Sequence, residues 1–218
     1  MLFRSLSPDR KVLATASYDR KIVLWNPDNG QQLRVLDGHN GAVFDLAFSP
    51  DGKILGSASA DSTIKLWQVA TGVRLDTLSQ PLKEQYTVAF SPNGEFVLAG
   101  GLDNRIRVWK LVSREKPQIN PLVFARFAHE GAVLRVSFAP DGKSLASVAD
   151  DQSLKLWETS QYTQIAAYEK QPENTPALAV GAGNRVFVGR ANGVLKVYDR
   201  PDVFTPPSNV QPVVSHVM

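Results

Sequence analysis

The chain repeats itself. Trp25, Trp67 and Trp109 stand 42 residues apart, Trp157 follows 48 residues on, and Tyr198 takes the same place 41 residues later. Each aromatic closes an aliphatic–any–aliphatic triplet: Ile22-Val23-Leu24, Ile64-Lys65-Leu66, Ile106-Arg107-Val108, Leu154-Lys155-Leu156 and Leu195-Lys196-Val197. Such a period means one supersecondary unit copied several times, each too small to bury its own apolar face and so obliged to stack on the next. Upstream of the first four aromatics lie related turns, Ser7-Pro8-Asp9-Arg10, Ser49-Pro50-Asp51-Gly52, Ser91-Pro92-Asn93-Gly94 and Ala139-Pro140-Asp141-Gly142. Pro presets φ at the second turn position, Asp or Asn follows, and Gly takes the left-handed conformation that closes a hairpin. Arg10 stands where the others carry Gly, which predicts a first turn that is strained or differently shaped.

Between the turns lie short runs rich in Val, Ile, Leu, Phe, Ala and Ser, with no sustained 3.6-residue period, and runs of this kind read as strands. In the second unit they fall at about 42–48, 53–59, 63–69 and 73–79. Apolar residues on both faces of a strand require both faces to be covered, as when four-stranded blades stack radially. The expectation is an all-β chain, a β-propeller built from five four-stranded antiparallel blades at about 1–36, 42–79, 85–127, 132–168 and 176–199. Together these make one domain over 1–199, followed by a Pro-rich tail at 200–218 that shows no clear further strand. The longer third interval is accounted for by Ser113–Pro121, read as a polar connection into an outer strand.

These features resemble the WD40-repeat family through to about residue 199. No Trp is followed by Asp here, and only Tyr198-Asp199 keeps the acid. The resemblance implies a buried structural tetrad in each unit: a His before the first strand, a Ser or Thr in the second, an Asp in the following turn, and the Trp. The second unit matches at His39, Ser57, Asp61 and Trp67, and the fourth at His129, Ser147, Asp151 and Trp157. The first keeps Thr15, Asp19 and Trp25, its His position falling ahead of Met1; the third keeps Asp103 and Trp109, with Pro81 and Ala99 replacing His and Ser. The fifth has Asn192 and Tyr198, with Val188 where the hydroxyl belongs. A buried indole N–H requires an acceptor, a hydroxyl both accepts and donates, and a carboxylate orients the imidazole.

Several function classes are set aside. Lys and Arg number 24 against 21 Asp and Glu, and the excess of +3 is spread along the chain, which weighs against a nucleic-acid or membrane surface. With no cysteine, disulfides, thiolate nucleophiles and Cys-ligated metals are excluded. The opening Met1–Pro8 shows no secretory pattern and no apolar run approaches the ~18–20 residues of a membrane helix, so a cytoplasmic protein is expected, or an extracytoplasmic one if the chain is a fragment of a longer secreted protein. The His–Ser–Asp trios contain the residue types of a hydrolase triad, but a serine inside a strand of small residues, facing a Trp, is not presented to an oxyanion hole. Only His216 remains outside the tetrads, so neither a metal site nor a cofactor is expected, and a ring of inward carboxylates fails because the equivalents of Asp45 are Phe3, Thr87 and Arg135. The periodic Lys65, Arg107, Lys155 and Lys196 are read as stems covering the aromatics with charged heads reaching water.

What remains is a surface. The turns between second and third strands and the entrances to the first strands share one face near the central channel. They place Tyr18, Leu102 and Asp150 beside Phe44, Asp45, Tyr86 and Arg135 as candidate partner-binding residues, a concentration of the groups that form hot spots. The expected function is a non-catalytic protein–protein interaction scaffold, its partners other proteins or peptides. A second reading is a propeller fragment or subunit of a larger bacterial enzyme or c-type cytochrome fusion, whose chemistry lies outside this chain because no C-x-x-C-H occurs in it. The first strand aligns with Met1–Leu6 and the units number five against the family's usual seven. An open arc with apolar faces at both ends is therefore expected, implying self-association or a partner supplying the missing blades.

Overall fold

The computed structural model describes residues 3–173, 175, 177–181 and 184–201. Among them every regular element is a strand, and each unit folds into one antiparallel meander. Blade 1 comprises β1 (Phe3–Leu6), β2 (Leu13–Ala16), β3 (Ile22–Trp25) and β4 (Gln32–Leu36). Blade 2 comprises β5 (Val43–Phe48), β6 (Ile54–Ser59), β7 (Ile64–Gln68) and β8 (Arg74–Leu78). Blade 3 comprises β9 (Gln85–Phe90), β10 (Phe96–Gly101), β11 (Arg105–Lys110) and β12 (Leu122–Phe127). Blade 4 comprises β13 (Val133–Phe138), β14 (Ser144–Ala149), β15 (Leu154–Glu158) and β16 (Gln164–Ala167). The five expected blades are present; among the described residues blade 5 has three strands, β17 (Ala177–Gly181), β18 (Arg185–Gly189) and β19 (Leu195–Asp199), where the others have four. The tail at 202–218, His216 included, lies outside the described residues.

The turns follow from the residues that mark them. The hydroxyls of Ser7, Ser49 and Ser91 donate to Asp9, Asp51 and Asn93 at 2.6 Å and accept the N–H groups of Val12, Ile54 and Phe96 at 2.9 Å. Gly52, Gly94 and Gly142 close their turns at φ of 69°, 69° and 68°, and Arg10 adopts 61°. The first turn therefore keeps the shape of the others and carries the strain of a side chain in the left-handed region. Ala139 breaks the series in blade 4. With no hydroxyl there to engage it, Asp141 takes Arg200 at 2.6 and 3.1 Å, and the same guanidinium reaches Ser144 and Asn184 at 2.7 and 2.6 Å, latching blade 5 to blade 4.

The long connection does more than lead into β12. Arg114 pairs with Asp51 at 2.7 Å, Gln118 N–H donates to the Leu75 carbonyl at 3.1 Å, and Asn120 gives its backbone and side-chain N–H groups to Asp76, both at 2.8 Å. Ser113–Pro121 is thus a strap from blade 3 onto the outer strand of blade 2.

Burial shows how the blades stack. The repeated aromatic of blades 2 to 5 is a wedge against the blade before it: Trp67 packs with Leu24 and Leu36, Trp109 with Ile64 and Leu78, Trp157 with Val108, and Tyr198 with Leu156. In β6 and β14 every residue is buried, so both faces are covered. In β2 and β3 burial alternates, with Ala14, Ala16, Ile22 and Leu24 inside and Leu13, Thr15, Val23 and Trp25 half-buried. Blade 5 behaves alike, burying Val186, Val188 and Tyr198 while Phe187 and Val197 stay half-buried and Leu195 is exposed. Four cores join successive blades and none joins the fifth to the first, so the ring is open over the described residues.

Candidate functional site

The face of interest is built by the networks that hold the loops. In blade 2 the Trp67 indole N–H donates to Ser57 Oγ at 2.9 Å, Ser57 lies 2.7 Å from His39 Nε2, and His39 Nδ1 lies 2.8 Å from Asp61. The consistent assignment is a neutral imidazole, Nδ1–H donating to the carboxylate and Nε2 accepting from the serine. Burial pushes His39 below its ordinary pKa, outweighing the pull of Asp61. Burial also acts to raise Asp61, but hydrogen bonds from His39, Thr63 and the Asn40 N–H prevail and hold it well below the carboxylate range. The approach is so close that a side chain at Gly41 would meet Asp61 N at 2.7 Å, and at Gly131 the Asp151 N at 2.5 Å.

Blade 4 closes its network differently. Trp157 donates to Ser147 at 2.8 Å and Ser147 meets His129 Nε2 at 2.7 Å, but His129 Nδ1 is 3.6 Å from Asp151. The Ser153 hydroxyl lies between them, 2.7 Å from His129 and donating to Asp151 at 2.6 Å. Burial lowers His129 to about 4, while Asp151, which burial would raise, is carried down to about 2 by the hydroxyl and N–H of Ser153, the Glu130 N–H and His129. Among the described residues blade 1 retains the Trp25 bond to Thr15, at 2.8 Å.

Where the His and Ser are missing, glutamine takes over, a feature the sequence reading missed. The Trp109 indole N–H donates to Gln80 Oε1 at 3.0 Å, and Asp103 turns to Arg107 at 2.7 Å in a buried ion pair. The Tyr198 hydroxyl donates to Gln171 Oε1 at 3.0 Å and accepts from its Nε2 at 2.8 Å. Both glutamines sit one residue away from the His position of the repeat, and the polar side chain beside an absent His is the signal that marks them. The basic series also departs from expectation: Lys65 and Arg107 are buried, and Lys155 Nζ donates to the Ala128 carbonyl at 2.7 Å, so these heads serve the blades rather than the solvent.

With the loops pinned, side chains from separate blades meet. The backbone N–H groups of Ala60, Leu102 and Asp150 donate to the carbonyls of Ala42, Glu84 and Ala132, and Val43 N–H to Ser17, drawing each turn over a first-strand entrance. Phe44 lies at the centre of an aromatic chain, edge-to-face with Tyr18 at 6.0 Å, Tyr86 at 5.4 Å and Phe3 at 6.1 Å between centroids. Phe3 had not been singled out as a surface residue. Tyr18 is 61% exposed, the other three rings are half-buried, and Leu102 is exposed beside Glu84. The Tyr86 hydroxyl donates to Glu84 at 3.1 Å; burial first, then the charges of Glu84 and Asp150, push that tyrosine up to about 12.

Asp45 and Arg135 sit on this face but are engaged between blades. Asp45 accepts the Val88 N–H at 3.0 Å and pairs with Arg135 at 3.3 Å, and Arg135 also donates to the Tyr86 carbonyl at 3.1 Å. Thr87, at the equivalent position of blade 3, accepts the Val136 N–H at 3.3 Å in the same manner. Desolvation pushes Asp45 up against the pull of Arg135. These two residues brace the inner strands rather than stand open to a ligand. Clefts on the opposite face are likewise occupied by internal bonds: the one of about 450 Å³ near Pro92, Phe138 and Tyr162 has its Asp141 taken by Arg200 and its Thr159 hydroxyl by the Gly142 carbonyl.

Radially stacked antiparallel blades, each carrying an aromatic whose polar atom is held by a second-strand hydroxyl or by a glutamine of the loop ahead, define a β-propeller repeat protein. The chain belongs to the WD40-repeat family: the model of the WD domain, G-beta repeat, matches residues 4–26, 30–68, 72–110 and 122–158. Comparison with curated proteins finds no match. Repeats of this family generally mediate protein–protein interaction and are generally non-catalytic.

Proposed function

We propose that this chain is a non-catalytic scaffold that binds proteins or peptides on the face carrying Tyr18, Phe44 and Tyr86. The carrying observation is the aromatic chain itself, in which three blades each bring a ring to one partly open place. Large amphipathic rings gathered on a surface are the groups from which hot spots are made. The competing hydrolase reading is disfavoured because Ser57 and Ser147 are wholly buried and each hydroxyl already serves both a Trp and a His. The test is selection of binders from a displayed peptide library on the intact chain. The expected result is binders lost on Tyr18→Ala with an unchanged melting temperature. Binders indifferent to Tyr18→Ala and Phe44→Leu alike would move the site elsewhere.

A further inference from the structure

We infer that the two open ends of the arc are the two halves of one blade junction, and that a second copy of this chain docks there head to tail. The four junctions within the chain share one pattern. The aromatic side of each later blade covers the side of the earlier blade that carries the first and third residues of its triplet, and from Ile22 and Leu24 to Leu154 and Leu156 these residues are buried. In blade 5 the same places hold Leu195, 51% exposed, and Val197, half-buried, with Phe187 opposite Val197 in the sheet. Over the described residues this apolar strip is a junction half without its partner.

The first blade offers the matching half. Leu13, Thr15, Val23 and Trp25 face away from blade 2. Val23 stands where the later blades carry Lys65, Arg107, Lys155 and Lys196, so this side is more apolar than its counterparts inside the arc. A repeat that ends an array in water needs a polar outer side, and here an aliphatic chain replaces the cation. The charged strand residues lie at the margins: Arg4, beside Thr15 on the innermost strand, is exposed, and Arg185 and Asp199 stand opposite one another at one end of the blade 5 sheet. The loops point to the same occupant. His39 and His129 each sit on the connection between two blades and meet the serine of the later one. In blade 1 Thr15 holds Trp25 at 2.8 Å and Asp19 takes the Lys21 N–H at 3.1 Å, and among the described residues no imidazole reaches either. His216, outside the described residues, follows Tyr198 by 18 positions, as His39 follows Trp25 by 14 and His129 follows Trp109 by 20. It has the spacing to reach Thr15 of the next copy.

The test is sedimentation velocity of the full chain over a range of concentrations, with Val23→Glu and Leu195→Glu as variants of the two ends. Val23→Glu places a long charged side chain where the other blades already accommodate one, and Leu195 is exposed, so both spare the fold. The unaltered chain is expected to self-associate, and each variant alone to weaken that association at least about ten-fold. An equimolar mixture of the two should recover it as a one-to-one dimer, because each variant keeps the end that the other has lost. Recovery also shows that both variants fold. His216→Ala is expected to weaken association of the otherwise unaltered chain about three- to ten-fold, the loss of one hydrogen bond, and association unchanged by it overturns the part given to the tail. A chain that stays monomeric at every concentration overturns the proposal. So does association lost in Val23→Glu and untouched by Leu195→Glu, which would pair two first blades, or a mixture of folded variants that fails to recover.

Discussion

Ser57 concentrates the residue-scale argument. Its hydroxyl accepts the Trp67 indole and meets His39 with no exposure to solvent, so Ser57→Ala leaves a buried donor and a buried ring nitrogen without it. The expected cost is about 1–3 kcal/mol, read from the urea midpoint; a loss of hydrolytic activity at unchanged stability would instead make the serine a nucleophile. His129 carries a pH dependence with a definite sign. Burial holds it at about 4 against 6.5 unfolded, so as pH falls the unfolded chain takes up the proton first. Stability present above pH 6.5 is lost progressively down to pH 4, by up to about 3 kcal/mol for this residue, and His129→Gln should flatten that part of the profile. Arg10 supplies a change of the opposite direction. Its φ of 61° is shared with glycines at the same turn position, and Arg10→Gly should stabilise the protein by up to about 1 kcal/mol in thermal unfolding.

The elements were legible in the sequence because their punctuation is local. Pro, Asp and Gly fix turns over four residues, and the aliphatic triplet before each aromatic fixes a strand, so the blades followed from spacing alone. Parts that depend on distant partners were not legible. Nothing in Ser113–Pro121 reveals that Asp51 and Asp76, some forty to sixty residues upstream, receive Arg114 and Asn120. The aromatic surface was read from positions in the repeat, but the engagement of Asp45 and Arg135 was not, because it joins blade 2 to blade 4 across blade 3. Gln80 and Gln171 escaped because the repeat points to Pro81 and Ala99, or to Lys170 and Val188, whereas an amide one residue along reaches the same aromatic. Gln171→Ala would remove the partner of the Tyr198 hydroxyl and of Arg190 Nη2 together, at an expected cost of about 1–3 kcal/mol in urea unfolding.

At the scale of the whole molecule the arc behaves as a one-dimensional array, each blade stabilised by the neighbours it touches. Among the described residues blades 2, 3 and 4 have a core on either side; blades 1 and 5 have one core each and leave Leu13, Val23 and Trp25 at one end and Phe187, Val197 and Leu195 at the other partly open. Local opening therefore has a direction. The end blades shed one core when they detach, whereas an inner blade sheds two, and a blade that opens more readily exchanges its amide hydrogens sooner. Hydrogen exchange at low protein concentration should show β6, β10 and β14 as the slowest strands, with β2 and β18 faster by at least about ten-fold, the equivalent of 1.4 kcal/mol. If the open faces associate with second copies, protection at β2 and β18 rises with protein concentration while that at β10, already covered on both sides, stays constant. Equal protection of β2 and β6 at the lowest concentration would mean that the first blade is covered within a single chain, and the open arc would have to be given up.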